Sequence, residues 1–245
     1  MVMSIDLEVA VRKLWSDLPV EGTILRFSEG TAISIGNSNI SKQSTTTLYR
    51  NEKRRIEFKA GRQCAAQVLG RLEVPRDARW LVRATDGSPV WPEGIVGSIS
   101  HTDGVAIAVA GRRQDYRGLG VDIERISYRT FEFVQRVCRK EDIENVVVNP
   151  WVSVEQTITM LFSIRESFYK CIYPVLHLDL DFHDCVVDVD FLNCRFQAKL
   201  FSQLGAFAAN TPNVHGRMVW VGEYVVVLCI WPDPHVENDE SVMYS

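Results

Sequence analysis

No run of apolar residues approaches the roughly 18 to 20 needed to cross a bilayer, so no membrane-spanning helix is expected. Net positive charge is missing too. The formal balance is −4, which excludes general affinity for nucleic acid or anionic membranes and leaves any anion binding to local clusters of Lys and Arg. The six cysteines (Cys64, Cys138, Cys171, Cys185, Cys194 and Cys229) form no Cys-x-x-Cys pair and lie mostly inside apolar runs. That is the pattern of buried, reduced thiols in a cytoplasmic protein, not of an extracellular disulfide framework. The opening stretch MVMSIDLEVAVRKLW carries Asp6 and Glu8 and no continuous apolar segment, so neither a signal peptide nor an anchor is expected there. A Gly-x-Ser-x-Gly elbow is also absent, which weighs against a serine hydrolase built around Ser100 and His101.

What remains is a globular composition, with 46% hydrophobic and 24% charged residues in a chain of 245, enough for one large domain or two of ordinary size. Ser4 to Leu18 reads as a short amphipathic helix, Gly22 to Phe27 and Thr31 to Ile35 as strands, and the polar stretch Asn37 to Thr47 as a loop. From Asn51 to Leu72 the apolar row Ile56, Ala60, Cys64, Val68 and Leu72 predicts a helix. Lys53, Arg54, Arg55, Lys59 and Arg62 crowd its first turns, where positive charge opposes the helix dipole. Arg54 and Arg62 would stand about 12 Å apart along that helix, a spacing suited to an extended polyanion. The bland alternative is a solvated basic face.

Trp80 to Arg83 resembles a strand, Thr85 to Pro92 a turn bent at Asp86-Gly87, and Val105 to Ala110 an apolar strand. Phe131 to Val146 is expected as one helix, and Asn149 to Val152 as a break. His177 to Leu200 alternates as strands, and Arg217 to Trp231 reads as a hairpin turning at Gly222-Glu223. Asp179, Asp181, His183, Asp184 and Asp188 are assigned to solvent. Val236 to Ser245 is polar and acidic and is expected as a frayed tail.

The chemistry is concentrated in two stretches. In Leu119 to Arg125 (LGVDIER) a period of two puts Asp122 and Glu124 on one face and Val121 and Ile123 on the other. Two adjacent carboxylates repel unless a proton, a cationic side chain or a metal lies between them. In Leu161 to Pro174 (LFSIRESFYKCIYP) helical spacing brings Glu166 and Lys170 together, and Pro174 is expected to end the helix near Tyr173. If that helix packs on the strand, Glu166 becomes a third hard oxygen donor, a set that suits Mg²⁺ far better than zinc or copper. The alternatives are a solvated strand face and a surface helix pair.

Four pieces, in order, carry a resemblance: KRRIEFKAGRQCA (Lys53 to Ala65), GSPVWPEGIVGSISHT (Gly87 to Thr102), GLGVDIE (Gly118 to Glu124) and LFSIRESFYKCIYP. Together they resemble the 4′-phosphopantetheinyl transferases, in particular the branch serving enterobactin-type and other nonribosomal synthetases. The resemblance implies an α+β fold of two pseudo-twofold related halves, here residues 1–117 and 118–236 with a flexible tail at 237–245, and a ligand cleft between them. A faint echo between Phe58-x-x-x-Arg62 and Phe162-x-x-x-Glu166 agrees with it.

It further implies transfer of the phosphopantetheine arm of coenzyme A to a serine of an apo acyl, peptidyl or aryl carrier protein, releasing adenosine 3′,5′-bisphosphate. By position, Asp122, Glu124 and Glu166 match the family's ligands for Mg²⁺, with Mn²⁺ as the alternative ion. Arg54, Arg62, Ser100, His101 and Lys170 match its coenzyme A contacts, with Arg83 as a looser candidate. Glu166, or a metal-bound water it orients, would take the serine proton, and the metal and Lys170 would neutralise the leaving group. The branch resemblance implies siderophore or other nonribosomal peptide synthesis; a monomer is expected because two halves would already supply the cleft, and the cysteine pattern and charge balance point to a cytoplasmic protein with no nucleic acid or membrane partner. The chain departs from the family at Arg165, where Lys is usual, and Arg and Lys differ in reach and geometry. A Mg²⁺-dependent phosphohydrolase and a non-catalytic nucleotide-binding module are the competing classes.

Overall fold

Two antiparallel sheets, each with one long helix against it, build the protein. The structure is a computed structural model that describes residues 2–27, 52–146, 152–201 and 214–235. The expectations for residues 31–35, 37–47, 149–151 and the tail lie outside the described residues. The elements are α1 (Val2–Arg12), β1 (Val20–Arg26), α2 (Glu52–Arg71), β2 (Ile95–Thr102), β3 (Val105–Arg112), β4 (Tyr116–Arg125), α3 (Phe131–Val137) and α4 (Lys140–Val146). They continue as α5 (Val154–Leu176), β5 (Cys185–Asp190), β6 (Arg195–Leu200), β7 (Val214–Val221) and β8 (Tyr224–Pro232). The three-stranded sheet has the order β1-β3-β2, and the five-stranded sheet β4-β8-β7-β6-β5. With its helices beside antiparallel sheets, the fold is of the α+β class.

Alternation along the strands decides what each face meets. Along β3, Ala106, Ala108 and Ala110 lie in the cluster under α2, with Ala60, Cys64, Val68 and Leu69 of that helix. The intervening Val105, Ile107 and Val109 join a cluster shared by both sheets, with Leu119, Val121 and Ile123 of β4, Val226, Leu228 and Ile230 of β8, and Leu7 and Val11 of α1. A third cluster packs Met160, Ile164, Phe168 and Ile172 of α5 on Val225, Val227 and Cys229 of β8. Strands β3, β4 and β8 are thus buried on both sides, which explains their nearly continuous apolar runs.

The odd positions of β4 face the shared cluster, so the even ones, Gly118, Gly120, Asp122 and Glu124, face α5. A Cβ on Gly120 would stand 1.8 Å from the Ser167 carbonyl oxygen, and one on Gly118 would stand 2.2 Å from that of Cys171. The two glycines let the helix backbone lie directly on the strand. The acidic pair at the other end of the same face is thereby held against α5.

Helix α5 starts earlier and ends later than its apolar pattern suggests. Ser153 and Gln156 form a reciprocal capping box at its start. Pro174 does not end it; the helix continues to Leu176 and closes on His177 in the left-handed conformation, whose N–H donates to the Tyr173 carbonyl. A proline in the last turn removes one backbone donor there, and the αL cap supplies another. The expected helix over 131–146 is two helices, because Cys138 is extended and the Asp142 carboxylate accepts the Arg139 N–H at 2.6 Å, capping α4. Trp80 to Arg83 is not a strand: only Arg83 bridges, to Pro89. The hairpin at Gly222 stands as expected, with φ +58 at the glycine.

Candidate active site

The edge strands of the two sheets, β2 and β4, run against each other, and α5 crosses β4 on the outer side. Asp122 lies at this junction, with 2% of its surface exposed. Its Oδ1 accepts from Lys170 Nζ at 2.6 Å and from Ser100 Oγ at 2.7 Å, and its Oδ2 accepts from Ser163 Oγ at 2.8 Å. Lys170 Nζ also donates to Ser100 Oγ at 3.2 Å and stands 4.0 Å from Glu166 Oε2. The helical period puts Ser163, Glu166 and Lys170 on one side of α5, the side that faces the acidic end of β4. Local periodicity and the close approach at Gly118 and Gly120 together assemble the cluster.

Its electrostatics are mutual. Burial works against the Lys170 charge, but the Asp122 and Glu166 carboxylates and the hydrogen bond to Asp122 outweigh it and hold the ammonium above its ordinary value. Burial raises Glu166, with Lys170 pulling the other way and Asp122 adding to the rise. Glu124 goes further: burial, then the charge of Asp122, push it up to about 7 against the opposing pull of Arg129 and Lys170. Arg129 donates to Glu124 Oε2 at 3.1 Å. A polar cleft of about 470 Å³ opens beside this pair, lined in part by Thr102, Asp103, Arg125 and Ser127.

The remaining candidates occupy the first sheet and its helix. His101 follows Ser100 on β2; its Nδ1 stands 3.8 Å from Glu57 Oε2, and burial keeps the imidazole below its ordinary range while Glu57 works the other way. Arg54 is exposed near the start of α2. Arg62, by contrast, is 4% exposed, with its guanidinium carbon 4.7 Å from the centre of the Phe58 ring. The basic residues of α2 therefore do not form one solvent-facing row. Arg83 Nε donates to the Gly87 carbonyl at 3.2 Å within the Thr85–Pro92 turn.

The expected cage of three carboxylates is not preassembled. Among the described residues no group of three His, Cys, Asp or Glu side chains is placed to hold a metal ion. Lys170 engages Asp122 and Arg129 engages Glu124, so the two cationic side chains provide the neutralisation that the carboxylates require. Two residues of the site, Ser163 and Arg129, are not among the site residues expected from the sequence. The helical spacing places Ser163 with Glu166 and Lys170, but not its bond to Asp122. No spacing places Arg129, because it stands in the connection after β4, which has no periodicity.

Arg165 does not join the cluster. It is buried on another side of α5, where its guanidinium donates to Asp142 Oδ2 at 2.5 Å and to the carbonyls of Phe182 and Cys185 at 2.9 and 3.4 Å.

Fold and cluster define a class: an α+β protein with carboxylates and a lysine gathered where two sheets meet. Two family models match the chain. The 4′-phosphopantetheinyl transferase N-terminal domain matches residues 50–111, and the 4′-phosphopantetheinyl transferase superfamily matches residues 118–229. The chain is 34% identical to the 4′-phosphopantetheinyl transferase Svp of Streptomyces mobaraensis over 60% of its own length and 60% of that protein. It is 27% identical to the transferase PptT of Mycobacterium tuberculosis over 72% of the chain and 78% of that protein. It is 33% identical to enterobactin synthase component D of Salmonella typhi, over 48% of each. Between them the two family models span most of the chain, and it belongs to the 4′-phosphopantetheinyl transferase family.

Proposed function

We propose that the protein transfers the 4′-phosphopantetheine arm of coenzyme A to a serine hydroxyl of an apo carrier protein. The observation that carries this is the Ser100–Asp122–Lys170 cluster, with Glu124 and Glu166 beside it, in the stretches that the two family models match. The serine oxygen attacks the pantetheine-linked phosphorus of the pyrophosphate. One P–O bond forms, the bridging P–O bond breaks, and adenosine 3′,5′-bisphosphate leaves. Glu166, whose proton affinity is raised by burial, accepts the serine proton. Lys170, held charged by Asp122, faces the negative charge that grows on the leaving group. His101, Arg54, Arg62 and Arg83 are assigned to the nucleotide end of coenzyme A, with Ser100 positioned between the two parts.

The donor chemistry fits a divalent ion, because all the carboxylates are hard oxygen donors and two of them are raised partly by the negative charge of Asp122. Asp122, Glu124 and Glu166 would hold Mg²⁺ or Mn²⁺ once Lys170 and Arg129 yield their oxygens. Bound there, the ion supplies positive charge to the pyrophosphate and the leaving group.

The gap between the two matched segments, at residues 112–117, supports two halves divided near 117/118 with coenzyme A between them. Cytoplasmic location, a monomeric state and service to siderophore or other nonribosomal peptide synthesis belong to the same proposal. The names of the enterobactin synthase relatives support the last of these. Among the described residues no helix is long and apolar enough to cross a membrane.

The test is intact-protein mass spectrometry of apo acyl, peptidyl and aryl carrier proteins incubated with coenzyme A and Mg²⁺. The expected result is a mass gain of one phosphopantetheine that EDTA and Glu166→Gln both abolish. Hydrolysis of coenzyme A with every carrier left unmodified would instead establish a phosphohydrolase.

A further inference from the structure

Arg129 is held by aromatic faces and by a single carboxylate. Its guanidinium lies over two aromatic rings, with the central carbon 4.8 Å from the centre of Phe133 and 5.8 Å from that of Phe162. One amino nitrogen donates to Glu124 Oε2, while its Nε is buried and makes no hydrogen bond. The two side chains are only 22% and 21% exposed, and both line the polar cleft. Arg165 makes the contrast: it is tied to a carboxylate and to two backbone carbonyls. Aromatic faces hold a guanidinium by position and charge, without the directional bonds that would lock it. Arg129 is thus a cation parked on a carboxylate, with little else to anchor its polar edge.

We propose that Arg129 is the resident counter-ion of Glu124 and competes with the divalent ion for that carboxylate, thereby setting the metal affinity of the enzyme. This rests on the assignment of Glu124 as a metal ligand under the proposed function. Glu124 sits beside the charge of Asp122 in a partly buried place, where an unneutralised pair of carboxylates is costly. In the metal-free protein Arg129 supplies the neutralising charge. When a divalent ion takes Glu124, the guanidinium must give up its bond and remain nearby as a like charge, which weakens binding.

The experiment is titration of Mn²⁺ by electron paramagnetic resonance, without coenzyme A or carrier, on the wild type, Arg129→Met and Arg125→Met. Methionine keeps an apolar stem against Phe133 and Phe162 and removes the charge. The expected result is binding about tenfold tighter in Arg129→Met, equivalent to roughly 1.4 kcal/mol. Arg125 lines the same cleft but pairs with Glu223, with its Nε donating at 2.8 Å, so its removal is expected to change affinity less than about twofold. Circular dichroism checks each fold, and Arg129→Gln, which retains a donor for Glu124, replaces the methionine variant if that one does not fold.

Unchanged or weaker Mn²⁺ binding by a folded neutral variant, beside a wild type that binds, overturns the proposal and leaves the metal site standing. Equal tightening by Arg125→Met overturns it in favour of a general field effect. If neither the wild type nor the neutral variant binds Mn²⁺, the metal assignment falls and the proposal with it. A silent wild type beside a binding neutral variant supports both.

Discussion

Helix α5 carries two short, buried ion pairs within six residues of sequence, and they have different work. Arg165 meets Asp142 at 2.5 Å with side chains 1% and 9% exposed; Lys170 meets Asp122 at 2.6 Å with side chains 27% and 3% exposed. Distance does not separate them. The distinction lies in what else each cation touches and whether a ligand can reach it. Asp142 also accepts the N–H of Arg139 at the head of α4, so the Arg165 pair ties α5 to α4 and, through Phe182 and Cys185, to the approach to β5. Lys170 shares its ammonium among Asp122, Ser100 and Glu166 and keeps a path to solvent. A guanidinium with several fixed acceptors is a structural fastener. An ammonium shared by two carboxylates and open on one side is available for chemistry.

The comparison can be broken most forcefully at Glu166, proposed as the base. Glu166→Gln is expected to lower carrier modification by about 10²- to 10⁴-fold, the range for loss of a general base, with little change in melting temperature. Mass spectrometry and a thermal melt read the two arms, and a large loss of stability with normal turnover would reverse the assignment. Asp142→Asn should do the opposite. Leaving the Arg165 charge buried without its anion costs about 3 kcal/mol, which lowers the melting temperature by roughly 10 °C in a chain of this size while turnover measured in the cold stays near wild type.

Gly120→Ala tests whether the cluster depends on the close approach of α5 to β4. The new Cβ would meet the Ser167 carbonyl at 1.8 Å, so the helix must move. A shift of about 1 Å in Ser163, Glu166 and Lys170 is expected to lower turnover by roughly 100-fold, alongside about 1–3 kcal/mol of lost stability. Retained turnover with an unmoved melting temperature would show that the contact is dispensable.

The smallest effect is in the pH dependence. Glu124 is raised from the ordinary 4.5 to about 7, so in the metal-free protein its contribution to stability is full below about 4.5 and is lost as the pH rises through about 7. Metal affinity runs the other way, because the ion binds the carboxylate, and is expected to climb across the same window. Melting curves from about pH 5 to pH 8, with and without Mn²⁺, should therefore show the metal-induced rise growing with pH, and Glu124→Gln should remove that growth.

Much of the site was legible because its residues obey local periods. Strand alternation places Asp122 and Glu124 on one face with Gly118 and Gly120, and the helical period aligns Glu166 with Lys170. The opposite face, Leu119, Val121 and Ile123, went to the core as its apolar character required. The apolar row of α2 was equally plain, but the same pattern could not show that Arg62 turns inward over Phe58 while Arg54 stays out. Pro174 points to an earlier end of α5 than the structure has, since the αL cap at His177 gives no signal as strong as a proline. The break at Cys138 is hidden for a related reason: Asp142 caps α4 with a side chain, and its partner Arg165 comes from elsewhere in the chain.

The sequence by itself determined most of the strands and helices, the shared faces of Asp122 with Glu124 and of Glu166 with Lys170, and the family through four ordered stretches. Those features depend on neighbours a few residues away, and two fixed periods read them out. The tertiary structure alone decided that Asp122 meets Ser100 and Ser163, that Arg165 is spent on Asp142, and that Arg129 rests on Glu124. Such partnerships form where separate elements are pressed together by burial of their apolar faces, and the pressing sets distances that no local spacing contains.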